Sequence, residues 1–250
     1  EMFPLKDTIG SLRRPIMTYA IIAVNILVFI FQISLSGQKV VVGTQVWNGM
    51  DAFTFQFGMI SARFTDSAYA QTFRAVFPYS ASALVTVFTA MFLHSGWLHL
   101  ISNLWALWIF GDNVEDRMGH WRFLLFYILS GLAGNLMFFV SSLFTKVPLI
   151  GASGAIAGVM GAYLVLFPFA KVRTLFILFI FPYIVDIPAP IYLGVWFLLQ
   201  FFNGATSMLG RAGTSNVAYW AHIGGFVFGL IAYQWFLGRE RFVRIGRSAR

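Results

Sequence analysis

The chain has 250 residues, of which 59% are hydrophobic and only 10% are charged, and its formal net charge is +8 at pH 7. A soluble domain carries roughly 25% charged residues, so this chain lacks the polar surface that a water-soluble globule of its size needs. A nucleic-acid-binding face is disfavoured, because Lys and Arg lie in the gaps between apolar runs instead of clustering on one polar face, and membrane orientation explains that placement better. The sequence contains no cysteine, which excludes disulfides and thiolate metal sites.

Long uncharged apolar runs predict membrane helices, since a helical span needs about 20 apolar residues. The first run follows Arg13 and Arg14 and has no small-residue cleavage site behind it, so no cleavable signal peptide is expected. Residues 36–86 form a long first connection whose aromatic content predicts short helices lying at the membrane interface. The six predicted segments cover about 16–35, 97–111, 121–144, 153–169, 191–203 and 218–237.

The stretch 174–185 between segments four and five is apolar but too short to span, and Pro182, Pro188 and Pro190 interrupt it. We predict a re-entrant or hairpin-like connection there. Asp186 lies among these prolines without an acidic partner, which disfavours an aspartyl mechanism and favours a structural role. The whole chain, 1–250, is thus predicted to be one all-α polytopic membrane domain, a six-helix bundle with a short basic tail over 239–250.

An even number of spans places both termini on the same side of the membrane. In this topology most of the 17 Lys and Arg residues lie on the side of the termini, and the opposite side holds only Lys39, Arg63, Arg74, Lys146 and Arg211. The positive-inside rule therefore predicts that both termini are cytoplasmic. Segments two, four and six then begin on the outer side, so polar residues near their starts lie at a similar depth.

Three segments bring candidate catalytic side chains to this layer. Segment two contributes His99 and Asn103, segment four contributes Ser153 and segment six contributes His222. A serine becomes a good nucleophile when a base accepts its proton, and neutral imidazole is the usual base. Taken alone, Ser153 is more simply a small packing residue. Its pairing with a histidine at the same depth favours nucleophilic catalysis.

Two small-residue stripes give these segments a way to approach each other. Gly154, Ala157, Gly158 and Gly161 follow Ser153 on segment four, and Gly225 and Gly229 follow His222 on segment six. Such stripes allow helix backbones to touch in a membrane. We expect the glycines to pack the helices and thereby to bring the serine to the histidine.

Acyl transfer also needs hydrogen-bond donors for the developing oxyanion. His99 and Asn103 are four residues apart on segment two and share a helix face, so either can donate, and the backbone N–H of Ser153 is a third candidate. Asn103 also has a structural interpretation, as an interhelical hydrogen-bonding residue. His94 lies off that face and is expected to fix the loop. A zinc site is not predicted, because the sequence has no His-Glu-x-x-His motif.

The ordered set of motifs resembles the rhomboid family of intramembrane serine proteases. The motifs are His-Ser-Gly-Trp-Leu-His-Leu-Ile-Ser-Asn over 94–103, Gly-Asp-Asn-Val-Glu-Asp-Arg-Met-Gly-His over 111–120, Gly-Ala-Ser-Gly over 151–154 and Ala-His-Ile-Gly-Gly-x-x-x-Gly over 221–229. The resemblance implies a six-transmembrane-helix rhomboid-like bundle with a water-filled cavity open to the outer side. It also implies a Ser–His dyad in which Ser153 is the nucleophile and His222 the base, with His99 and Asn103 as oxyanion-hole side chains.

The resemblance further implies an integral multi-pass protein, expected in the cell (inner) membrane, that needs no cofactor and no metal. Its partners would be the lipid bilayer and single-span membrane proteins, cut near the membrane boundary. Peptide carbonyls must leave the helix before attack, since a helical backbone is already hydrogen-bonded.

Two positions depart from the family pattern. Some members carry a tyrosine one turn after the serine, stacked on the catalytic histidine, and here that position is Ala157. A Trp-Arg pair often present in the first long loop is not visible upstream of His94. Because residue 157 is an alanine and not an aromatic residue, His222 must be held in some other way.

Two other function classes are weighed beside the protease. A catalytically inactive rhomboid-fold protein would bind membrane clients, but such relatives typically lose the serine or the histidine, and both are present here. A transporter or channel would favour polar groups spread through the membrane depth or an internal repeat. Here the polar groups gather near the outer side.

Overall fold

The structure, a computed structural model, describes residues 2–178, 181–208 and 218–238. The predicted basic tail over 239–250 and Arg211 lie outside these residues. The helices are α1 (Ile16–Ser34), α2 (Gly49–Phe57), α3 (Ala62–Thr65), α4 (Ser67–Val76), α5 (Ala83–Thr89), α6 (Trp97–Met118), α7 (His120–Ser141), α8 (Ser153–Leu166), α9 (Ala189–Met208) and α10 (Tyr219–Phe236). The strands are β1 (Met2–Asp7), β2 (Lys39–Val42), β3 (Gln45–Asn48), β4 (Lys171–Leu178) and β5 (Phe181–Pro188).

Helices α1, α6, α7, α8, α9 and α10 occupy the six predicted segments. By length and composition, α1 and α7 are able to cross a membrane, with mean hydropathies of 2.3 and 2.0. Helix α6 and the short helical stretch Ala83–Phe92 together are apolar and long enough for a further span, and the two are bent by 78° at the break between them. That the chain crosses the membrane six times remains a prediction.

The centre of the bundle is α8. All residues from 154 to 163 are buried, and the helix packs against α6, α7, α9 and α10. With 14 residues it is about 21 Å long. That is shorter than the hydrocarbon core of about 30 Å. Helix α8 therefore need not reach both membrane surfaces, although it is apolar on all sides.

The chain is mostly helical, as predicted, but it is not all-α, because two antiparallel sheets accompany the helices. One has the strand order β1-β4-β5 and the other pairs β2 with β3. In the first sheet, β4 and β5 form a hairpin in which Lys171 lies opposite Pro188 and Leu178 opposite Phe181. The hairpin-like alternative for the stretch after segment four is therefore confirmed. Its aromatic and β-branched residues suit a pleated strand at least as well as a helix.

Asp186 has a structural contact within this hairpin. It lies directly opposite Arg173, and Arg173 Nε donates to Asp186 Oδ1 at 2.8 Å. The guanidinium holds the pKa of Asp186 below its ordinary value. This exposed cross-strand pair fits the structural role expected from the sequence.

The long connection over 36–86 begins as a hairpin, so the prediction of short helices alone is wrong there. Lys39 pairs with Asn48 and Val42 with Gln45, and Gly43 at the tip has φ +62°. Two-residue hairpin loops require such positive φ values, which glycine adopts at little cost. The remainder does form short helices, α2 to α5.

Segment two extends beyond its predicted end at 111, because its charged residues belong to the last turns of α6. Glu115 is 1% exposed and reaches the start of α1. There its carboxylate accepts hydrogen bonds from the backbone N–H of Met17 at 2.9 Å and of Thr18 at 2.7 Å. The first N–H groups of a helix have no partner within it, and a carboxylate is favoured at that positive end. The Glu115 carboxylate therefore caps the N-terminus of α1 and does not belong to a loop.

Strand β1 is fixed to the base of α8 through Asp7. Its Oδ2 accepts a hydrogen bond from the Tyr163 hydroxyl at 2.6 Å and another from Asn113 Nδ2 at 2.7 Å. Burial raises the pKa of Asp7 from 3.8 to about 6, against the opposing effect of the Tyr163 bond. The fold therefore favours the protonated carboxyl, and this contribution to stability is lost as the pH rises through about 6.

We expect Asp7→Asn to raise the midpoint of thermal unfolding (Tm) at about pH 8, because the amide oxygen still accepts both hydrogen bonds and carries no charge. The gain should shrink at about pH 4, where the wild-type carboxyl is protonated in the folded state and no longer carries a buried charge. Asp7→Ala should instead cost about 1–3 kcal/mol, since it leaves the Tyr163 hydroxyl unpaired. Thermal unfolding in detergent at both pH values measures this, and equal losses in the two variants would contradict it.

Candidate active site

The candidate nucleophile, Ser153, is the first residue of α8. Gly151 turns the chain into the helix with φ +119°, a conformation that residues with a side chain rarely adopt. The loop that precedes Ser153 is held by backbone hydrogen bonds to two other parts of the chain. Gly151 N–H donates to the carbonyl of Ala90 at 2.8 Å, and Leu149 exchanges two backbone hydrogen bonds with Met59. The long first connection thus fixes the position of the serine.

The candidate base, His222, lies in the first turn of α10. Its Nε2 is 2.7 Å from Ser153 Oγ, although 69 residues separate the two in the chain. Both residues are half-buried. At this distance the two side chains share a hydrogen bond of the length usual for a nucleophile and its general base.

The two helices approach backbone to backbone, as the glycine stripes predicted. A methyl group added at Gly225 would collide with the carbonyl oxygen of Gly154, and one added at Gly229 would collide with that of Gly158. No side chain larger than hydrogen fits at either position. The prediction that these glycines allow close packing of the two helices is confirmed.

His99 lies beside the loop that carries the serine. Its Nδ1 is 3.4 Å from the backbone nitrogen of Ser95, which has a proton to donate. In the neutral ring the remaining proton is then on Nε2. Nε2 faces Gly151, where an added Cβ would be only 2.8 Å from it. His99 therefore directs an N–H donor toward the turn two residues before Ser153.

Asn103 lies one turn after His99 on α6 and is 6% exposed. Its Nδ2 donates to the carbonyl oxygen of His99 at 2.9 Å. An amide nitrogen has two protons, so this bond fixes the side chain and leaves a second N–H. The structure thus brings Ser153 and His222 into direct contact and places His99 and Asn103 on the neighbouring helix that packs against α8.

Comparison with known proteins identifies the family of this chain. The family model described as the Rhomboid domain matches residues 81–240, which include all four candidate site residues. The chain belongs to the rhomboid family. The resemblance inferred from the motifs is confirmed.

Several curated rhomboid proteins are similar to this chain. "Rhomboid protein 1, mitochondrial" from Saccharomyces cerevisiae is 32% identical over 161 residues, covering 62% of this chain and 42% of the yeast protein. "Rhomboid protease GluP" from Bacillus subtilis is 46% identical over 76 residues, 30% of this chain and 14% of that protein. "RHOMBOID-like protein 6, mitochondrial" from Arabidopsis thaliana is 43% identical over 77 residues, 30% of this chain and 24% of the relative. The aligned part makes up less than half of each relative.

In this rhomboid chain, two residues of helix α9 contact the imidazole of His222. Gln200 Oε1 is 2.8 Å from His222 Nδ1. The ring of Trp196 lies 5.9 Å from the imidazole, centroid to centroid, at an interplanar angle of 30°. Neither residue was predicted from the sequence. The available signal was a single glutamine in an apolar segment, one helical turn after a tryptophan.

His94 has a backbone contact that agrees with the expected loop-fixing role. Gln32 of α1 accepts from the His94 backbone N–H at 3.0 Å and donates to its carbonyl at 3.3 Å. The His94 ring meets that of His99 edge-on, with centroids 5.0 Å apart. Over 2–178, 181–208 and 218–238, no group of three or more His, Asp or Glu side chains is arranged to hold a metal ion.

Proposed function

We propose that this chain is an intramembrane serine endopeptidase that cleaves single-span membrane proteins through a Ser153–His222 dyad. The observation that carries the proposal is the 2.7 Å hydrogen bond between His222 Nε2 and Ser153 Oγ. Membership of a family with members named as proteases supports it. Both dyad residues are present, which disfavours the alternative of an inactive client-binding protein.

In the first step, Ser153 Oγ attacks the carbonyl carbon of the scissile peptide while its proton passes to His222 Nε2. The electron pair of the C=O bond moves to oxygen and produces a tetrahedral oxyanion. Collapse of this intermediate breaks the C–N bond, and the leaving nitrogen takes the proton back from His222. Water then hydrolyses the acyl-enzyme through the same proton transfers, releasing the acid and restoring Ser153.

Three donors are assigned to the oxyanion: the Nε2–H of His99, the free N–H of Asn103 and the backbone N–H of Ser153. The amide of Ser153 belongs to the first turn of α8 and so has no partner within the helix. Donors held in place before the reaction stabilise the developing charge without reorganisation. The hydrogen bonds of His99 to Ser95 and of Asn103 to the His99 carbonyl support such preorganisation.

The membrane arrangement proposed with this activity has six spans and both termini on the cytoplasmic side, in the cell (inner) membrane. The cytoplasmic location of the termini is supported by the excess of Lys and Arg on their side. The short α8 then holds Ser153 below the outer surface, where a cavity open to the outside supplies water. A substrate helix must unwind near this boundary before its carbonyl is exposed to Ser153.

A fluorophosphonate probe tests the nucleophile directly. We expect the purified wild-type protein to be labelled at Ser153, as located by peptide mass spectrometry, and Ser153→Ala to be unlabelled. His222→Ala should label at least about 100-fold more slowly, because general-base catalysis contributes about that much or more. Ser141→Ala, at the end of α7, serves as the control and should label like wild type. Labelling that persists in Ser153→Ala would overturn the proposal.

A further inference from the structure

We propose that Gln200 is a positioning residue that keeps the proton of neutral His222 on Nδ1, so that Nε2 is free to accept the proton of Ser153. The inference rests on the proposed function, since it concerns the base of that same dyad. It adds a third side chain, supplied by a different helix, to a site that the family resemblance describes as a dyad. Among the residues that the structure describes, the side chain of Gln200 hydrogen-bonds to His222 and Trp196 and not to Ser153, so its effect is exerted through His222.

The orientation of the Gln200 amide follows from its own helix. Its Nε2 lies 3.4 Å from the carbonyl oxygen of Trp196, one turn earlier in α9, and its Oε1 lies 2.8 Å from His222 Nδ1. The reverse orientation would bring two carbonyl oxygens together at Trp196, where neither can donate. Amide orientation is assigned from such hydrogen-bond networks, and this network favours the orientation with Oε1 toward His222.

The protonation of His222 follows from that orientation. A carbonyl oxygen only accepts, so the partner nitrogen, Nδ1, must carry the proton. The lone pair of neutral imidazole is then on Nε2, which lies 2.7 Å from Ser153 Oγ. The serine hydroxyl donates in this hydrogen bond, and this is the direction in which the proton moves during attack.

The opposite tautomer would oppose the chemistry. With the proton on Nε2, His222 would donate to Ser153 Oγ and could not accept its proton, and Nδ1 would direct a lone pair at Gln200 Oε1. A fixed tautomer is what the third residue of a catalytic triad contributes. Gln200 supplies it here without a charge, which suits an apolar helix better than a carboxylate would.

The placement of Gln200 makes α9 part of the catalytic arrangement. Ser153 and His222 belong to α8 and α10, which touch through their glycines, whereas Gln200 belongs to α9, whose other faces are largely exposed. Trp196, on the same helix, lies alongside the imidazole and restricts its rotation. A displacement of α9 would therefore release His222 while leaving the contact between α8 and α10 intact.

Three variants test the role of Gln200 with a single-span substrate in detergent. Gln200→Met keeps the length of the side chain and removes the acceptor, so kcat should fall about 10–100-fold, the loss usual for partners that orient metal-ligating histidines, with KM nearly unchanged. Gln200→Glu keeps an acceptor and should recover most of the activity. Asn203→Leu, an exposed position on α9, is the control and should behave like wild type.

The pH profile separates positioning from packing. The carboxylate of Gln200→Glu stabilises the imidazolium form of His222, which raises the pKa of the base, so the acid limb of the kcat profile should move to higher pH than in wild type. A side chain that only packs would not move this limb. Wild-type kcat in Gln200→Met, or an unmoved acid limb in Gln200→Glu, would overturn the inference.

Nitrogen-15 NMR of protein labelled at its histidines shows which ring nitrogen of His222 carries the proton, and it needs no substrate. The sequence has 4 histidines, and the spectrum of His222→Ala identifies the signals of His222 by their loss. The proton should be on Nδ1 in wild type and shared between both nitrogens in Gln200→Met; an identical distribution in the two proteins would overturn the inference. If the wild-type protein cleaves nothing, the proposed protease fails, and this spectrum still decides the role of Gln200.

Discussion

Ser153→Ala and His222→Ala should each reduce cleavage of a single-span substrate by about 10⁴-fold or more, with the fold of the protein unchanged. Residues of a nucleophile–base pair act as a unit, so removing either one removes most of what the pair contributes. The double variant should therefore be no slower than the worse of the two single variants. The 2.7 Å hydrogen bond between Ser153 Oγ and His222 Nε2 is the physical reason for this non-additivity.

The measurement is the rate of appearance of cleaved substrate on incubation with purified protein in detergent. The free energy of unfolding of each variant should match wild type within about 1 kcal/mol, because Ser153 and His222 are only half-buried and water can replace the lost hydrogen-bond partner. Ser141→Ala serves as the active control. Substantial cleavage by either dyad variant would exclude the dyad as the catalytic unit. Loss in both would exclude the inactive client-binding alternative.

The positions of the main helices followed from the sequence, because apolar length is a strong local signal in a membrane protein. The pairing of Ser153 with His222 also followed, since the direction of each segment fixes the depth of its first residues. Glycines at steps of three and four then indicated which faces meet. These inferences need only the order of the segments and the spacing of small residues.

The strands could not be separated from helices in the same way. The stretch after segment four is continuously apolar, and such a run has no period that distinguishes a strand from a buried helix. Its pairing with β1 joins residues that are about 170 positions apart, such as Met2 and Phe176. Glu115 was assigned to a connection because charge usually marks one, and only the neighbouring helix α1 reveals its capping role.

Gln200 was missed for a different reason. Whether one glutamine in an apolar helix faces lipid or His222 depends on the rotation of α9 about its axis. The segment is apolar on all sides, so the sequence does not fix that rotation. The preceding connection contains the β4–β5 hairpin, whose geometry sets where α9 begins.

Gly225→Ala should lower both stability and activity, because Gly225 is where α8 and α10 touch. The added methyl group would meet the Gly154 carbonyl, whose carbon would be only 2.8 Å away. That atom belongs to the backbone and cannot rotate aside, so the helices must separate. We expect a loss of about 1–3 kcal/mol in the free energy of unfolding, the usual cost of overpacking.

The loss of activity should exceed what the loss of stability explains. Gly154 follows Ser153 directly, and Gly225 lies one turn after His222, so separation of the helices lengthens the distance from Oγ to Nε2. A displacement of about 1 Å between reacting groups can cost about 100-fold in rate. Gly229→Ala meets the Gly158 carbonyl in the same way but lies one turn farther from the dyad. It should therefore cost similar stability and less activity.

Gly194→Ala is the matched control, because no atom lies within 4 Å of a methyl group added at that position of α9. Alanine is the better helix former by roughly 0.5–1 kcal/mol, so this variant should be as stable as wild type or more so. Rates and thermal unfolding measured for the three glycine variants then test the contact itself. If Gly225→Ala keeps wild-type kcat, close packing of α8 on α10 is not what holds His222 against Ser153, and the contact through α9 must hold it instead.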